Sequence, residues 1–149
     1  MNLTVTARAI DMSGKSRALE VSDICVGKNA QAVMRLSKAD LTRNEIVHFA
    51  WVDDDGIFGH DHFAPEPYKS YDLRDPCLSL TVSGDELTIT SENPAFFVTA
   101  EADQPGRFSA NAVFVLPGQP TRLKFSPDCP EKPAQFTLRD LYSATCAQA

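Results

Sequence analysis

The sequence lacks the features that mark membrane, nucleic-acid-binding and nucleotide-binding proteins. None of its apolar runs approaches the ~18–20 residues that a membrane helix needs. Met1 to Thr6 has neither the basic start nor the apolar core of a signal peptide. The 14 basic and 20 acidic side chains are evenly spread, so no basic stripe is available to neutralise phosphates. We therefore expect a soluble chain that binds neither nucleic acid nor a membrane.

Motifs of familiar catalytic and cofactor sites are also missing. The sequence contains no G-x-S-x-G element and no glycine-rich phosphate loop. Its four cysteines, Cys25, Cys77, Cys129 and Cys146, have no C-x-x-C spacing, which gives no support to a zinc site. Four unpaired thiols are the favoured interpretation, and a Cys129–Cys146 disulfide in an oxidising compartment is the alternative. We expect no cofactor.

Three histidines and an aspartate run raise the question of a metal. His60 and His62 lie two residues apart, so they share one face of a strand, and only His48 or the run 53–55 offers a third ligand. The favoured interpretation is a solvent-exposed polar face on a hairpin. Residues 53–56 read Asp-Asp-Asp-Gly, which is typical of a hairpin turn and lacks the further ligands of a calcium loop. We expect no bound metal.

The chain reads as β-structure nearly throughout. Residues 2–10 alternate apolar and polar side chains with the period of a half-buried strand. Turn residues recur about every ten positions, which favours β-sandwiches over a parallel α/β sheet. A single helical turn is expected within 37–42. Strands are predicted at 2–10, 17–26, 29–36, 45–52, 57–64, 78–83, 86–90, 95–101, 113–116, 121–125 and 135–142.

A proline-punctuated stretch separates two halves. Prolines recur between residues 65 and 76, and proline removes a donor from the strand ladder. This stretch is therefore a connection or an edge. We predict an all-β fold of two small immunoglobulin-like β-sandwich domains in tandem, 1–76 and 77–149.

The most informative motif lies in the second half, at residues 106–111 and 116–118. Gly106 is expected to supply backbone freedom where the chain reverses, and Phe108 to enter the core while Arg107 points outward. Asn111 is expected to satisfy turn backbone, and Pro117-Gly118 suits a type II turn. The predicted role is structural. The residues that carry it are Gly106, Arg107, Phe108, Ser109, Asn111, Pro117 and Gly118.

The order of these elements resembles a known family. An aromatic strand, P-G-R-F-S-x-N, a short strand, L-P-G-x-P and a further strand together resemble the last immunoglobulin-like domain of β-mannosidases of glycoside hydrolase family 2. Residues 1–76 resemble the preceding immunoglobulin-like domain more loosely. That domain begins with strands upstream of residue 2, so the first domain is expected to lack its initial strands.

The resemblance implies a non-catalytic accessory region. The parent enzyme would hydrolyse terminal β-mannosyl residues with two glutamates on a (β/α)8 barrel, and a barrel of about 250 residues does not fit in 149. We therefore assign no catalytic residue to this chain. The expected partner is the catalytic domain of the parent glycoside hydrolase, which the chain would support. The compartment stays open, with a periplasmic or secreted parent as one alternative.

Two other functions remain open. A stand-alone carbohydrate-binding module would stack sugars on exposed rings of Trp51, Tyr68 or Tyr71. Trp51 alternates with Phe49 and Val47, however, which favours core packing. A protein-interaction module is the other alternative: if initial strands are lacking, the strand from Asn2 to Ile10 would be an open sheet edge able to form a homodimer.

Overall fold

The computed structural model describes residues 1–146, and its regular secondary structure consists mainly of antiparallel β-strands. It divides into two compact units, unit 1 (Met1–Asp72) and unit 2 (Leu73–Ala149). The division lies a few residues before the boundary expected after residue 76. The last three residues of the predicted second domain, 147–149, lie outside the described residues. Within 1–146 no helix is long and apolar enough to cross a membrane. The predicted all-β class is confirmed.

Unit 1 contains a single four-stranded sheet. Two hairpins form it, with a positive φ of 85° at Gly14 in the first turn and 78° at Gly56 in the second, as the turn signals predicted. In space the strands follow the order β2-β1-β3-β4. Their bounds are β1 Asn2–Asp11, β2 Ser16–Cys25, β3 Glu45–Asp53 and β4 Phe58–Phe63.

The predicted open edge at residues 2–10 is wrong. Strand β1 lies inside the sheet, because it pairs with β2 on one side and with β3 on the other. Its ladder is therefore occupied, and a homodimer through Asn2 to Ile10 has no free backbone to use. The edges of this sheet are β2 and β4. The expected sandwich is also absent from unit 1, whose described strands form one sheet rather than two.

The strand predicted at 29–36 does not form. This segment belongs to a loop whose regular part is a 3-10 turn, Lys38–Asp40, within the predicted 37–42. The Ser22 hydroxyl donates to the Val33 carbonyl, and the Gln31 side chain donates to the Cys25 carbonyl. The apolar alternation arises because Val33, Met34 and Leu36 line a groove against the sheet. Val33 and Met34 are only half-buried there, and the apolar pattern of the segment did not show whether a strand partner exists.

Unit 2 is a two-sheet sandwich. One sheet has the order β5-β6-β10-β8 and the other β11-β7-β9. Apolar side chains from both sheets form one core, with Leu87, Ile89, Val98 and Val115 fully buried. The strands are β5 Ser79–Ser83, β6 Glu86–Thr90, β7 Ala95–Ala102, β8 Gly106–Phe108, β9 Val113–Val115, β10 Thr121–Pro127 and β11 Phe136–Arg139.

The last predicted strand, 135–142, is too long. Strand β11 ends at Arg139 and a short helix, α1 (Leu141–Thr145), follows. The Asp140 carboxylate accepts from the backbone N–H groups of Tyr142 and Ser143, and the Ser143 hydroxyl accepts from the Asp140 N–H. This reciprocal capping box starts a helix where the alternation alone indicated a strand.

Candidate functional site

Gly106 is needed for space rather than for backbone freedom. It lies in β8 opposite Pro127, and its φ is outside the left-handed region that glycine alone adopts readily. A Cβ at this position would lie 2.6 Å from Phe125 Cε2 and 2.7 Å from the Ser126 carbonyl oxygen. The glycine therefore allows the Phe125 ring to lie directly on the strand, which differs from the predicted role.

Phe108 belongs to an aromatic cluster that joins the two sheets of unit 2. Its ring centroid lies 4.8 Å from that of Phe125 and 6.1 Å from that of Phe136. Phe125 and Phe136 meet edge to face at 5.2 Å. Phe108 and Phe125 come from one sheet and Phe136 from the other, so the cluster connects the two layers. Phe125 is the most enclosed of the three, at 3% exposure.

Ser109 extends the pairing of β8 with β10. Its backbone N–H donates to the Lys124 carbonyl at 2.8 Å, and its hydroxyl accepts from the Lys124 N–H at 2.9 Å. Arg107 is exposed opposite Ser126. Asn111 is exposed too, and the described part of the chain shows no hydrogen bond from its side chain. Of the polar residues of this motif, Ser109 therefore supports the fold through backbone contacts, whereas Asn111 does not make, within residues 1–146, the turn contact expected from the sequence.

The second part of the motif forms a tight turn. The Gln119 N–H donates to the Leu116 carbonyl at 3.2 Å, and Gly118 has a φ of 73°. Pro117 occupies the position whose φ proline fixes. These features agree with the type II turn expected from the sequence.

Trp51 packs across an edge glycine of unit 1. It stacks on Phe49 with ring centroids 6.1 Å apart, and its cross-strand partner is Gly59. A Cβ on Gly59 would lie 2.7 Å from the Trp51 Nε1, so the indole covers the bare backbone of β4. Trp51 is partly buried, which leaves part of the ring accessible.

Tyr68 and Tyr71 lie apart from this indole. The Tyr68 hydroxyl is 2.6 Å from His62 Nε2, and His62 points to the opposite face of the sheet from Gly59 and Trp51. Tyr71 is buried, and its hydroxyl accepts from the Glu66 N–H at 3.1 Å. Burial raises the pKa of both phenols. The three rings named as sugar contacts therefore do not share one platform.

The strand register brings the three histidines onto one face. His48 lies opposite His62, and its Nε2 is 3.1 Å from His60 Nδ1. His48 is only 6% exposed, which corrects the expectation of a solvent-exposed polar face. Burial, and secondarily His60 and Arg8, lower the pKa of His48 to about 4, and burial lowers the pKa of His60 and His62 as well. Across 1–146, no group of three or more potential ligands has the geometry to hold a metal ion.

The cysteines are separate from one another. All four are free thiols, three of them exposed. The alternative Cys129–Cys146 disulfide is therefore not formed, in agreement with the favoured interpretation.

A groove in unit 1 was not anticipated from the sequence. It has a volume of about 540 Å³ and lies between the loop that carries Val33 to Leu41 and one face of the sheet. Phe63 on β4 lines it while remaining 61% exposed. The lining is mostly apolar: Val5, Ala7, Val33, Met34, Leu36, Ser37, Lys38, Leu41, Val47, Phe49, Phe63 and Pro65.

Comparison by family places unit 2 in a known class. Its two packed antiparallel sheets are those of an immunoglobulin-like sandwich. Residues 73–144 match the family model of the mannosidase Ig-fold domain. The match confirms the predicted resemblance for the second half of the chain. No curated protein matches the sequence at a significant level.

Comparison by structure extends the fold to nearly the whole chain. The crystal structure of Amycolatopsis orientalis exo-chitosanase CsxA matches with a TM-score of 0.62 at 15% identity. A structure whose title describes inhibition of the exo-β-D-glucosaminidase CsxA by a glucosamine-configured castanospermine and an amino-australine analogue matches with a TM-score of 0.56. A structure of a CsxA complex with PNP-β-D-glucosamine matches with a TM-score of 0.53, and both are 15% identical. Each match covers 93% of this chain but 22% of the other. At this identity the likeness concerns the fold.

Proposed function

We propose that this chain is a non-catalytic accessory region of a β-mannosidase-like glycoside hydrolase of family 2. The observation that carries the proposal is the match of residues 73–144 to the mannosidase Ig-fold domain. The structural matches support it. This chain covers 22% of each matched chain, and the titles of those structures name an exo-chitosanase and its complex with PNP-β-D-glucosamine. The chain would support the catalytic domain of the parent enzyme.

The features of unit 2 suit a supporting role. Its core is closed by two sheets and by the Phe108, Phe125 and Phe136 cluster. The Ser109 hydroxyl of the motif accepts a hydrogen bond from the Lys124 backbone N–H and thereby holds β8 to β10. Glycoside hydrolysis instead needs two carboxyl groups held about 5–10 Å apart on a rigid scaffold, which the resemblance assigns to a separate barrel. Rigidity is what the proposed role requires.

The parent's substrate is the finer part of the proposal. The family resemblance favours hydrolysis of terminal β-mannosyl residues, whereas the structural matches are to an exo-β-D-glucosaminidase. The polypeptide encoded by the complete gene should be assayed with p-nitrophenyl β-mannoside and p-nitrophenyl β-glucosaminide. We expect β-mannoside to be preferred. Preference for the glucosaminide would change the substrate but keep the accessory role, and lack of glycosidase activity on a panel of β-glycosides would overturn the proposal.

A carbohydrate-binding module is a second candidate because Trp51 is partly accessible and stacks on Phe49. Trp51 is the sole tryptophan, so its fluorescence reports on this surface alone. Titration with manno-oligosaccharides should leave the emission unchanged if the chain is a support. A saturable shift in the emission, together with binding that calorimetry detects for the unaltered chain and not for Trp51→Phe, would favour the binding module.

A further inference from the structure

The contact between His48 and His60 joins two nitrogen atoms of the kind that bind metal ions. His48 Nε2 lies 3.1 Å from His60 Nδ1, and the two rings meet edge to face with centroids 5.2 Å apart. Two nitrogens bound to one metal ion lie about 2.9 Å apart at a 90° angle and about 3.3 Å apart at a tetrahedral angle. The observed separation falls between these values, so one ion fits both rings once their lone pairs turn toward it.

The strands hold the two rings in this arrangement. Strand β3 pairs with β1 on one side and with β4 on the other, so two ladders fix the backbone at His48. His60 is diagonal to His48, because the residue directly opposite His60 is Ala50. The small side chain of Ala50 leaves room for the His60 ring to reach across the strands. Side chains on strands keep a more precise geometry than side chains on loops.

Neighbouring rings set His60 and the third histidine apart. Phe58 stacks on His60, with centroids 5.7 Å and planes 23° apart. His62 instead has its Nε2 2.6 Å from the Tyr68 hydroxyl. His48 and His60 therefore form a pair. Residues 1–146 contain no group of three or more ligands with the geometry to hold a metal ion, so a metal here would be held by two.

The expectation of no bound metal assumes a solvent-exposed polar face, and that assumption is wrong at His48, which is 6% exposed. Imidazole is a preferred ligand of Zn²⁺, Cu²⁺ and Ni²⁺, and it binds them only when it is neutral. Burial lowers the pKa of His48 to about 4 and lowers the pKa of His60 as well. Both rings are therefore neutral at pH 7, where protons do not compete with a metal.

We propose that His48 Nε2 and His60 Nδ1 chelate one divalent transition-metal ion of the Zn²⁺, Cu²⁺ and Ni²⁺ group, with water in the remaining coordination positions. One of these two nitrogens carries the proton of their hydrogen bond. When the ion binds, that proton moves through solvent to the other nitrogen of the same ring. Each imidazole stays neutral, and no net proton is lost. The site goes beyond the proposed accessory role and does not depend on it.

The charges near the pair favour nitrogen coordination over simple attraction of cations. Arg8 lies opposite His48 on β1 and disfavours a further positive charge there. The Asp61 carboxylate, next to His60 in β4, acts in the opposite direction at both rings. Neither charge dominates, so selectivity should come from the donor atoms. Mg²⁺ and Ca²⁺ take oxygen ligands and should not bind to this pair.

Calorimetric titration of the untagged 149-residue chain with NiCl₂ at pH 7.5 tests the proposal. Ni²⁺ is the probe because, unlike Cu²⁺, it does not oxidise the free thiols of this chain. We expect saturable binding of Ni²⁺ and none of Mg²⁺. Ni²⁺ should also raise the Tm, since a ligand that binds the folded state stabilises it.

Three glutamine variants locate the ion. His60→Gln and His48→Gln should each weaken Ni²⁺ binding at least about tenfold, because one imidazole alone has no chelate effect. His62→Gln is the matched control, since His62 lies on the same face two residues from His60, and it should leave the affinity unchanged. The free thiols are the same in all variants, so any binding to them cancels in the comparison.

Three results would overturn the proposal. Absence of Ni²⁺ binding would remove the site, and equal affinity in the unaltered chain and His60→Gln would assign the binding to the thiols. Equal losses in His60→Gln and His62→Gln would show that the pair is not the site. If His48→Gln does not fold, His60→Gln decides, because its ring is less buried. Circular dichroism matching that of the unaltered chain establishes that the variant is folded.

Discussion

The two units of this chain bury their apolar side chains in different ways. In unit 2, two sheets enclose Leu87, Val98 and Leu123 at 0–2% exposure. In unit 1, one sheet and a loop leave a groove and the exposed Phe63. The difference shows that strands and turns alone do not make a closed domain. The layer opposite each sheet decides how much of the apolar surface contributes to stability.

The largest expected effect removes the ring at the centre of the closed unit. Phe125→Ala leaves a cavity between Phe108, Phe136 and Gly106 and should lower the free energy of unfolding by about 3–5 kcal/mol. Urea unfolding followed by far-UV circular dichroism measures it. The control Phe63→Ala in unit 1 removes an exposed ring and should cost less than about 1 kcal/mol. Equal costs would contradict the contrast between the units.

Acid should weaken unit 1 in particular, because all three histidines of the sequence lie there. The pKa of His48 falls from 6.5 to about 4 in the folded state, so the unfolded chain binds its proton first as the pH drops. The contribution of His48 to the free energy of unfolding is therefore fully present above pH 6.5 and is lost progressively as the pH falls to about 4. At ~1.4 kcal/mol per pKa unit, His48 accounts for about 3 kcal/mol.

Trp51 fluorescence during urea unfolding at pH 7 and pH 4.5 measures this loss in unit 1. The variant His48→Gln should unfold at a urea concentration that changes much less between these pH values. A pH dependence as large as that of the unaltered chain would contradict the assignment to His48.

The third effect compares two glycines that lie under aromatic rings. In Gly106→Ala the added Cβ pushes both the Phe125 ring and the Ser126 carbonyl away from β8. This overpacking should lower the free energy of unfolding by about 1–3 kcal/mol. Gly59→Ala meets only the partly exposed Trp51 ring, which can move outward, so it should cost less than about 1 kcal/mol. Thermal unfolding of both variants provides the measurement. The reverse order would show that Trp51 is held more firmly than Phe125.

The smallest expected effect concerns the cap of the terminal helix. Asp140→Ala removes the acceptor for the Tyr142 and Ser143 N–H groups and should cost about 1 kcal/mol. Asp140→Asn keeps an acceptor and should recover most of the loss. Thermal melts of the two variants compare these values. Equal destabilisation by both would mean that charge, and not capping, is what Asp140 supplies.

The sequence predicted the local features of the fold well. Hairpin turns at Gly14 and Gly56, the turn at Gly118 and the bounds of β6 follow from short-range backbone chemistry that the residue types determine directly. The P-G-R-F-S-x-N pattern was also specific enough to indicate the family that residues 73–144 match.

The sequence-based predictions that proved wrong concern features that depend on contacts between distant residues. The position of β1 inside its sheet is fixed by pairing with β3, more than 30 residues away. The alternation of apolar and polar residues within β1 does not indicate which strand it pairs with. The apolar residues of 29–36 line a groove beside the sheet without pairing to it. The contact of Gly106 with Phe125, the burial of His48 and the groove likewise require three-dimensional register.

The accessory role is tested most directly by assaying the purified chain of residues 1–149 with p-nitrophenyl β-mannoside and p-nitrophenyl β-glucosaminide. We predict no release of nitrophenol above the buffer rate at any protein concentration. Turnover that rises in proportion to the concentration of the chain, and that persists through successive purification steps, would contradict the central claim and would require a catalytic site within these two units.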